Sequence, residues 1–256
     1  MNIIGNGFLA GHFRTYFGSR QLGATIVAAG ASTTVADNQA DFDREANLIY
    51  DIARRCRAGG STLVLLSTAA PAMYGSADSP CAEDGPVYPP TPYGRHKLAL
   101  ERVCALSGAP WLVLRLTNIV GPGQPPGQLL PTLTRHVLAG EVTVHRGAHR
   151  DLFDVRQLPP VLDSLLTRKV TGEVVNIATG NPVEVENVVQ GIERRLGRTA
   201  QRNYVSRPAD RVLVDVTKVR RLVPEFAELN FAEGYLDAML DHYFKDSRQE
   251  FLAPGP

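Results

Sequence analysis

Three groups of residues in this chain combine reactive side chains with a spacing that puts them to use. The first is "PYGRHK", where Tyr93 and Lys97 stand four positions apart and share one face of a helix that Pro92 opens. A phenol titrates at about 10, too high for a good base at neutral pH, and an ammonium one turn away favours the phenolate. The pair outlines a proton relay, although Tyr and Lys also meet at this interval on ordinary amphipathic helices. The second is "LVLLST", an apolar run whose C-terminal end delivers the hydroxyls of Ser67 and Thr68. Either can hydrogen-bond a substrate carbonyl or hydroxyl. The third is "IIGNGFLA", in which Gly5, Gly7 and Ala10 follow the form G-x-G-x-x-G/A. Gly5 suits the tight turn, Gly7 the close approach of a pyrophosphate, and Ala10 close helix packing. The backbone through Phe8 and Leu9 then meets the anion at a helix N-terminus.

The elements that must position these groups follow from the hydrophobic pattern. Apolar runs at residues 1–5, 25–29, 62–67 and 111–116 alternate with amphipathic stretches at 8–17, 41–57, 93–106 and 129–138. Short, uninterrupted apolar strands alternating with helices predict an α/β fold with a doubly wound parallel sheet covered on both faces. Residues 76–92 and 121–131 are rich in Pro and Gly and follow predicted strand ends, where open α/β sheets place their ligands. Beyond Gly140 the pattern shortens, with helices expected at 163–166, 183–196 and 216–222, as in a lobe added to a sheet. We therefore expect a dinucleotide-binding core over residues 1–120 and 141–180, a substrate lobe over 121–140 and 181–256, and a frayed tail from 251.

Composition narrows the function. Hydrophobic residues at 44%, charged residues at 21% and a net charge of +1 leave no basic excess to hold a phosphate backbone, which excludes nucleic acid as a partner. Cys56, Cys81 and Cys104 lack paired spacing, which implies reduced thiols and a cytoplasmic location. No apolar run reaches membrane-spanning length. His12, His96, His136, His145, His149 and His242 show no ligand spacing with a carboxylate, so no metal is expected. His96 stands out only because it adjoins Lys97.

Together the three groups resemble the short-chain dehydrogenase/reductase superfamily, in its extended branch of NAD-dependent nucleotide-sugar epimerases, dehydratases and ketoreductases. The resemblance continues in order along the chain. "VAAGAS" looks like the family's fourth strand, and "EANLIYDIARRC" like the helix carrying a structural asparagine, here Asn47. "RLTNIVGPGQ" is similar to R-x-x-N-x-x-G-P, whose asparagine, here Asn118, contacts the substrate's diphosphate region. "RDLFDV", "VVNIATGNPVEVENVV" and "RPADRVLVDVTKVRRL" resemble the later blocks.

The resemblance implies roles for these residues. Tyr93 is the general acid/base, and Lys97 lowers its pKa while holding the nicotinamide ribose. Thr68, 25 residues before Tyr93, is the substrate-polarising hydroxyl, with Ser67 as its competitor. Gly5, Gly7, Phe8, Leu9, Ala28, Ala29, Gly30 and Asn47 join Tyr93 and Lys97 around NAD or NADP, while Ser32, Asn118, Arg150 and Arg207 meet the substrate. Asp151 and Asp154 are capping or structural. The helices at 41–57 and 93–106 would pair with a second copy in a homodimer.

Two departures from the family pattern stand out. Thr68 is six positions before Tyr74, a longer interval than in the family's V-Y-G motif. Two strand–helix units are missing after the first helix, and with them the residue that meets the adenosine ribose, so the choice between NAD and NADP is not legible. Arg14 and Arg20 are candidates for a 2′-phosphate or plain surface residues. The implied function is reduction of a nucleotide-activated keto-sugar such as an NDP-4-keto-6-deoxyhexose. An epimerase or dehydratase that retains its cofactor is one alternative, and a non-catalytic nucleotide-sugar or dinucleotide-binding protein is another.

Overall fold

A computed structural model describes residues 1–30, 38–69, 71–75, 80–206 and 212–252, with side chains as far as Lys245. Its centre is a five-stranded parallel sheet in the order β1 (Asn2–Ile4), β2 (Ala24–Val27), β3 (Thr62–Thr68), β4 (Trp111–Leu116) and β9 (Glu173–Ile177). Side chains alternate across the sheet, and β3 shows the result. Leu63 and Leu65 pack under α2 (Gln39–Gly59) and α4 (Pro92–Leu106), with Ile49, Ile52, Leu100 and Cys104. Val64 and Leu66 pack on the opposite face with Phe13 and Phe17 of α1 (Phe8–Phe17) and Leu162 and Leu165 of α6 (Leu158–Thr167). Burying each such side chain contributes about 1.5–3 kcal/mol. The doubly wound sheet expected from the apolar pattern is thus present.

The helix boundaries have local causes. The Asn38 side chain accepts from Ala40 N at the start of α2, and Gly60 ends that helix in the left-handed region at φ 64°. Thr91 Oγ1 accepts from Gly94 N at 3.1 Å at the start of α4, where Pro92 occupies the first turn. Between β3 and α4 lies the single turn α3 (Pro71–Tyr74), which takes up the long interval before Tyr74.

The missing strand–helix units leave β1 as the edge strand, paired with β2 alone. Arg14 lies along that edge. Its guanidinium donates to Ile3 O at 3.4 Å, to Gly5 O, and to Asn6 Oδ1 at 3.3 Å. A charged side chain lying over exposed edge carbonyls blocks further strand pairing. Arg20 is committed elsewhere, forming a two-pronged ion pair with Asp163 on α6 at 2.6 and 2.8 Å.

The remaining elements form a lobe beyond the C-terminal strand ends. The strand β5 (Asn118–Val120) pairs with β8 (Leu152–Asp154), β6 (Glu141–His145) with β11 (Gln201–Val205), and β7 (His149–Arg150) with β10 (Val183–Glu184). They pack with α5 (Leu129–Ala139), α7 (Val185–Leu196) and α10 (Tyr235–Leu252) around Leu130, Val142, Val188, Ile192 and Leu240. The short helices α8 (Thr217–Leu222) and α9 (Pro224–Ala227) return to the sheet through Val219 and Phe226. The structure extends the helix expected at 163–166 back to Leu158, where Pro159 suits the first turn. It also continues α10 through Leu252, two residues into the stretch expected to fray, and anchors that helix by a buried stripe of Met239, Leu240, Tyr243 and Phe244.

Candidate active site

A cavity of about 940 Å³ opens where β1 to β4 end, between the sheet and the lobe. The glycine turn forms one wall. Gly5 has φ 119°, and a Cβ there would lie 2.3 Å from Ala28 O, so only glycine fits. Gly7 is the N-cap of α1, whose first turn has neither a side-chain cap nor an acidic residue. A Cβ at Gly7 would meet nothing within 4 Å, because that position faces open space. Uncapped N–H groups at a helix start, opposite an open cradle, suit a pyrophosphate. Phe8, Leu9, Ala28, Ala29 and Gly30 continue this wall. Among the described residues, no position between Leu9 and Val27 lines the cavity, so the adenosine side lacks a wall from those residues.

The helix α4 brings Tyr93 and Lys97 to the cavity one turn apart, with Nζ 5.7 Å from the phenol ring centre. Burial pushes the Tyr93 phenol above its ordinary value; Lys97 lowers it in the expected direction and Glu45 raises it. Burial prevails, so the group held here is a phenol and not a phenolate. Lys97 thus acts in the direction expected of it, and burial and Glu45 outweigh it.

One correction concerns α2. Asn47 is exposed and does not line the cavity. Phe42, Glu45, Ile49, Ile52 and Cys56 form the buried stripe of that helix, and two residues beyond Glu45 is about 200° around it. Glu45 therefore holds the inward position. One carboxylate oxygen meets Lys97 Nζ at 2.6 Å and the other meets His96 Nε2 at 3.1 Å. The His96 ring stacks on Phe42, centre to centre 4.4 Å. The signal in the sequence was a carboxylate at an apolar-stripe position.

The two candidate hydroxyls have different surroundings. Ser67 Oγ donates to Glu101 Oε1 at 2.5 Å, and Glu101 also binds the Arg115 guanidinium at 2.7 Å. Arg115 reaches Tyr74 Oη at 3.0 Å, and that hydroxyl donates to Asn176 Oδ1 at 2.7 Å. Ser67 thus belongs to a buried network behind the site, although it also lines the cavity. Thr68, at the last position of β3, lines the cavity as well.

On the lobe side the cavity is lined by Asn118 and Arg150, two of the candidate substrate contacts, and also by His136 and His145, whose spacing in the sequence showed no ligand pattern. Asn118 Nδ2 donates to Asp151 O at 3.0 Å. Asp151 accepts from the backbone N–H groups of Thr179 and Gly180, both at 2.9 Å, and Asp154 accepts from Arg156 N, so both aspartates hold backbone. Ser32 and Arg207 lie outside the described residues. Among the described residues no cluster of three His, Cys, Asp or Glu side chains could hold a metal, and no helix is long and apolar enough to cross a membrane.

With this geometry in place, comparison with known proteins is decisive at the family level. Residues 11–178 match the model of the NAD dependent epimerase/dehydratase family, well over half of the chain. The chain belongs to that family. A dTDP-glucose 4,6-dehydratase of Streptomyces niveus is 28% identical over 69% of this chain and 55% of its own length. A UDP-glucose epimerase of Bacillus subtilis, YtcB, is 27% identical over 63% of this chain and 54% of its own. The chain thus spans about half the length of these curated relatives. Among solved structures, MoeE5 in complex with UDP-glucuronic acid and NAD has a TM-score of 0.79 at 20% identity, covering 98% of this chain and 100% of that one. The RMD protein of Pseudomonas aeruginosa complexed with NADPH has a TM-score of 0.79 at 18% identity, covering 96% and 99%. These likenesses establish the Rossmann-like fold.

Proposed function

We propose that this family member is a cytoplasmic NAD(P)-dependent reductase of a nucleotide-activated keto-sugar, such as an NDP-4-keto-6-deoxyhexose. The observation that carries this reading is a buried Tyr93 kept as a phenol at the cavity wall, one turn from Lys97 and across from an uncapped glycine cradle. A bound nicotinamide dinucleotide supplies or accepts hydride, and its pyrophosphate suits Gly5, Gly7, Phe8 and Leu9. The chain's own residues do the remaining work. Thr68 hydrogen-bonds the ketone oxygen, with Ser67 held back by Glu101, and Tyr93 donates the proton as that oxygen gains charge. Lys97 holds the ribose side. Asn118, Arg150 and, beyond the described residues, Ser32 and Arg207 receive the nucleotide-sugar.

A second reading, an epimerase or dehydratase that keeps its cofactor, is favoured by the named activities of the similar proteins. On that reading Thr68, Tyr93 and Lys97 serve oxidation and reduction in turn. Purified protein that carries nicotinamide absorbance and turns over without added NAD(P)H supports that reading. A homodimer through the outer faces of α2 and α4 accompanies either one; these faces expose Tyr50 and Leu106 at 54% and 86%. Sedimentation at monomer mass would remove it.

The deciding experiment is calorimetric titration with NAD, NADH, NADP and NADPH, with and without nucleotide-sugar. Binding of at least one is expected, and binding of none overturns the oxidoreductase reading. A non-catalytic binding protein would instead keep its biological activity as Tyr93→Phe.

A further inference from the structure

The Lys97 ammonium carries three N–H donors, and two are accounted for by protein: Glu45 Oε1 at 2.6 Å and Leu66 O at 3.4 Å. Both Glu45 and Lys97 are 3% exposed. Gly30 lies directly against them: a Cβ at that position would come within 2.0 Å of Glu45 Oε1 and 2.8 Å of Lys97 Nζ. The backbone of the cavity wall thus closes over this ion pair, and any side chain at position 30 would drive into it. Burying two charges costs more than their attraction returns unless the geometry and remaining hydrogen bonds are good, so such a pair suits a role beyond stability. His96 supplies the further contact on the second carboxylate oxygen.

We propose that Glu45 is a positioning residue of this site: its carboxylate fixes the Lys97 ammonium beneath Gly30 and leaves the pair electrically neutral where it meets the cavity. Among the described residues, the charged and titratable groups around it include Lys97 and His96 from α4, with Tyr93 on the same helix; β3 contributes Leu66 O, Ser67 and Thr68, none of them charged. The inference rests on the proposed dinucleotide function and adds a consequence to it. An oxidised nicotinamide is a cation and a reduced one is neutral. A lone ammonium at the wall disfavours the oxidised form, whereas a neutral ammonium–carboxylate pair does not. Glu45 therefore lets one site hold both oxidation states.

The test is the ratio of dissociation constants for oxidised and reduced cofactor, measured by calorimetry at pH 7 in low salt. Glu45→Gln keeps the shape but leaves one uncompensated positive charge. It is expected to weaken the oxidised form relative to the reduced form roughly tenfold, as unit charges several ångströms apart in a partly buried site require. Glu45→Asp restores the ratio to within about threefold of wild type by the same argument. A merely structural role would change both affinities together and leave the ratio alone. A folded Glu45→Gln protein with the wild-type ratio overturns the proposal. If Glu45→Gln does not fold, the Glu45→Gln/Lys97→Met double variant carries the test because it buries no charge. Its ratio is expected near wild type even though both forms bind less tightly, and a tenfold displacement overturns the proposal. Wild type that binds neither oxidation state overturns the oxidoreductase function and this inference with it. Wild type that binds both, with the ratio unmoved in Glu45→Gln, removes only the role of Glu45.

Discussion

The sheet side of the cavity and the lobe hold their charges in different ways. Beneath the sheet ends, the side chains of Glu45, Lys97, Glu101 and Arg115 are 3–4% exposed, and each contacts an opposite charge at 2.6 or 2.7 Å. On the lobe, Arg194 meets Asp237 at 2.9 Å with the two side chains 59% and 55% exposed. Water can replace any partner lost in the second case and none in the first. The sheet side is therefore preorganised, with a phenol held off its ordinary titration range, while exposed pairs such as Arg194–Asp237 can shift at little cost.

The comparison is tested most strongly at Tyr93. Tyr93→Phe removes only the hydroxyl and is expected to lower turnover by about 10²–10⁴-fold, the usual share of a positioned general acid. Circular dichroism and thermal melts should remain those of wild type. Full activity in Tyr93→Phe would separate the buried phenol from the chemistry altogether.

Stability provides the next largest contrast. Arg115→Ala strands the buried Glu101 carboxylate, and such breaks cost about 3–5 kcal/mol. Arg194→Ala removes a mostly solvated pairing with Asp237, where about 0–1 kcal/mol is usual. Urea unfolding of the two variants side by side reads the difference, and equal losses would erase the distinction between the two regions. Within the cavity, His145→Ala is expected to raise KM for a nucleotide-sugar severalfold with kcat nearly unchanged, because His145 lines the cavity from β6 of the lobe and Tyr93 from α4 beside the sheet. A fall in kcat alone would place that histidine with the reacting groups.

The same contrast explains what the sequence made legible. Strands of the sheet bury both faces, so their apolar runs are continuous, and the glycine turn, Ser67, Thr68, Tyr93 and Lys97 sit at their ends or on the next helix in local motifs. Glu45 was hidden because a motif comparison placed attention on Asn47, whereas the helical stripe Phe42, Glu45, Ile49, Ile52 carried the geometric answer. His136 and His145 come from separate elements, and only the packing of α5 and β6 together in the lobe brings them to the cavity. The strands β6 and β11 are half-exposed and pair across some 60 positions, so no local pattern announces their partnership. The loss of two strand–helix units was visible as missing length. That Arg14 would cover the resulting edge depends on a tertiary reach of nine residues back to Gly5 O.

The smallest expected effect lies under the sheet and concerns alkaline pH. Burial pushes the Cys104 thiol up from 9.0 to about 12, with the Glu101 carboxylate and the Cys56 thiol adding in the same direction. In the unfolded chain the thiol ionises near its ordinary value, so the folded state binds the proton more tightly. The stability this contributes is fully present below pH 9 and is lost progressively as pH rises toward 12. Tyr93, also raised by burial, adds to the loss above its own unfolded value of 10.0. Denaturant midpoints measured from pH 7 to 10.5 should therefore fall with pH in wild type. Cys104→Ala should fall less steeply over the same range, after allowance for the small cavity it leaves. A parallel pair of curves would mean that water reaches the thiol, and that the sheet side is less sealed than its buried ion pairs require.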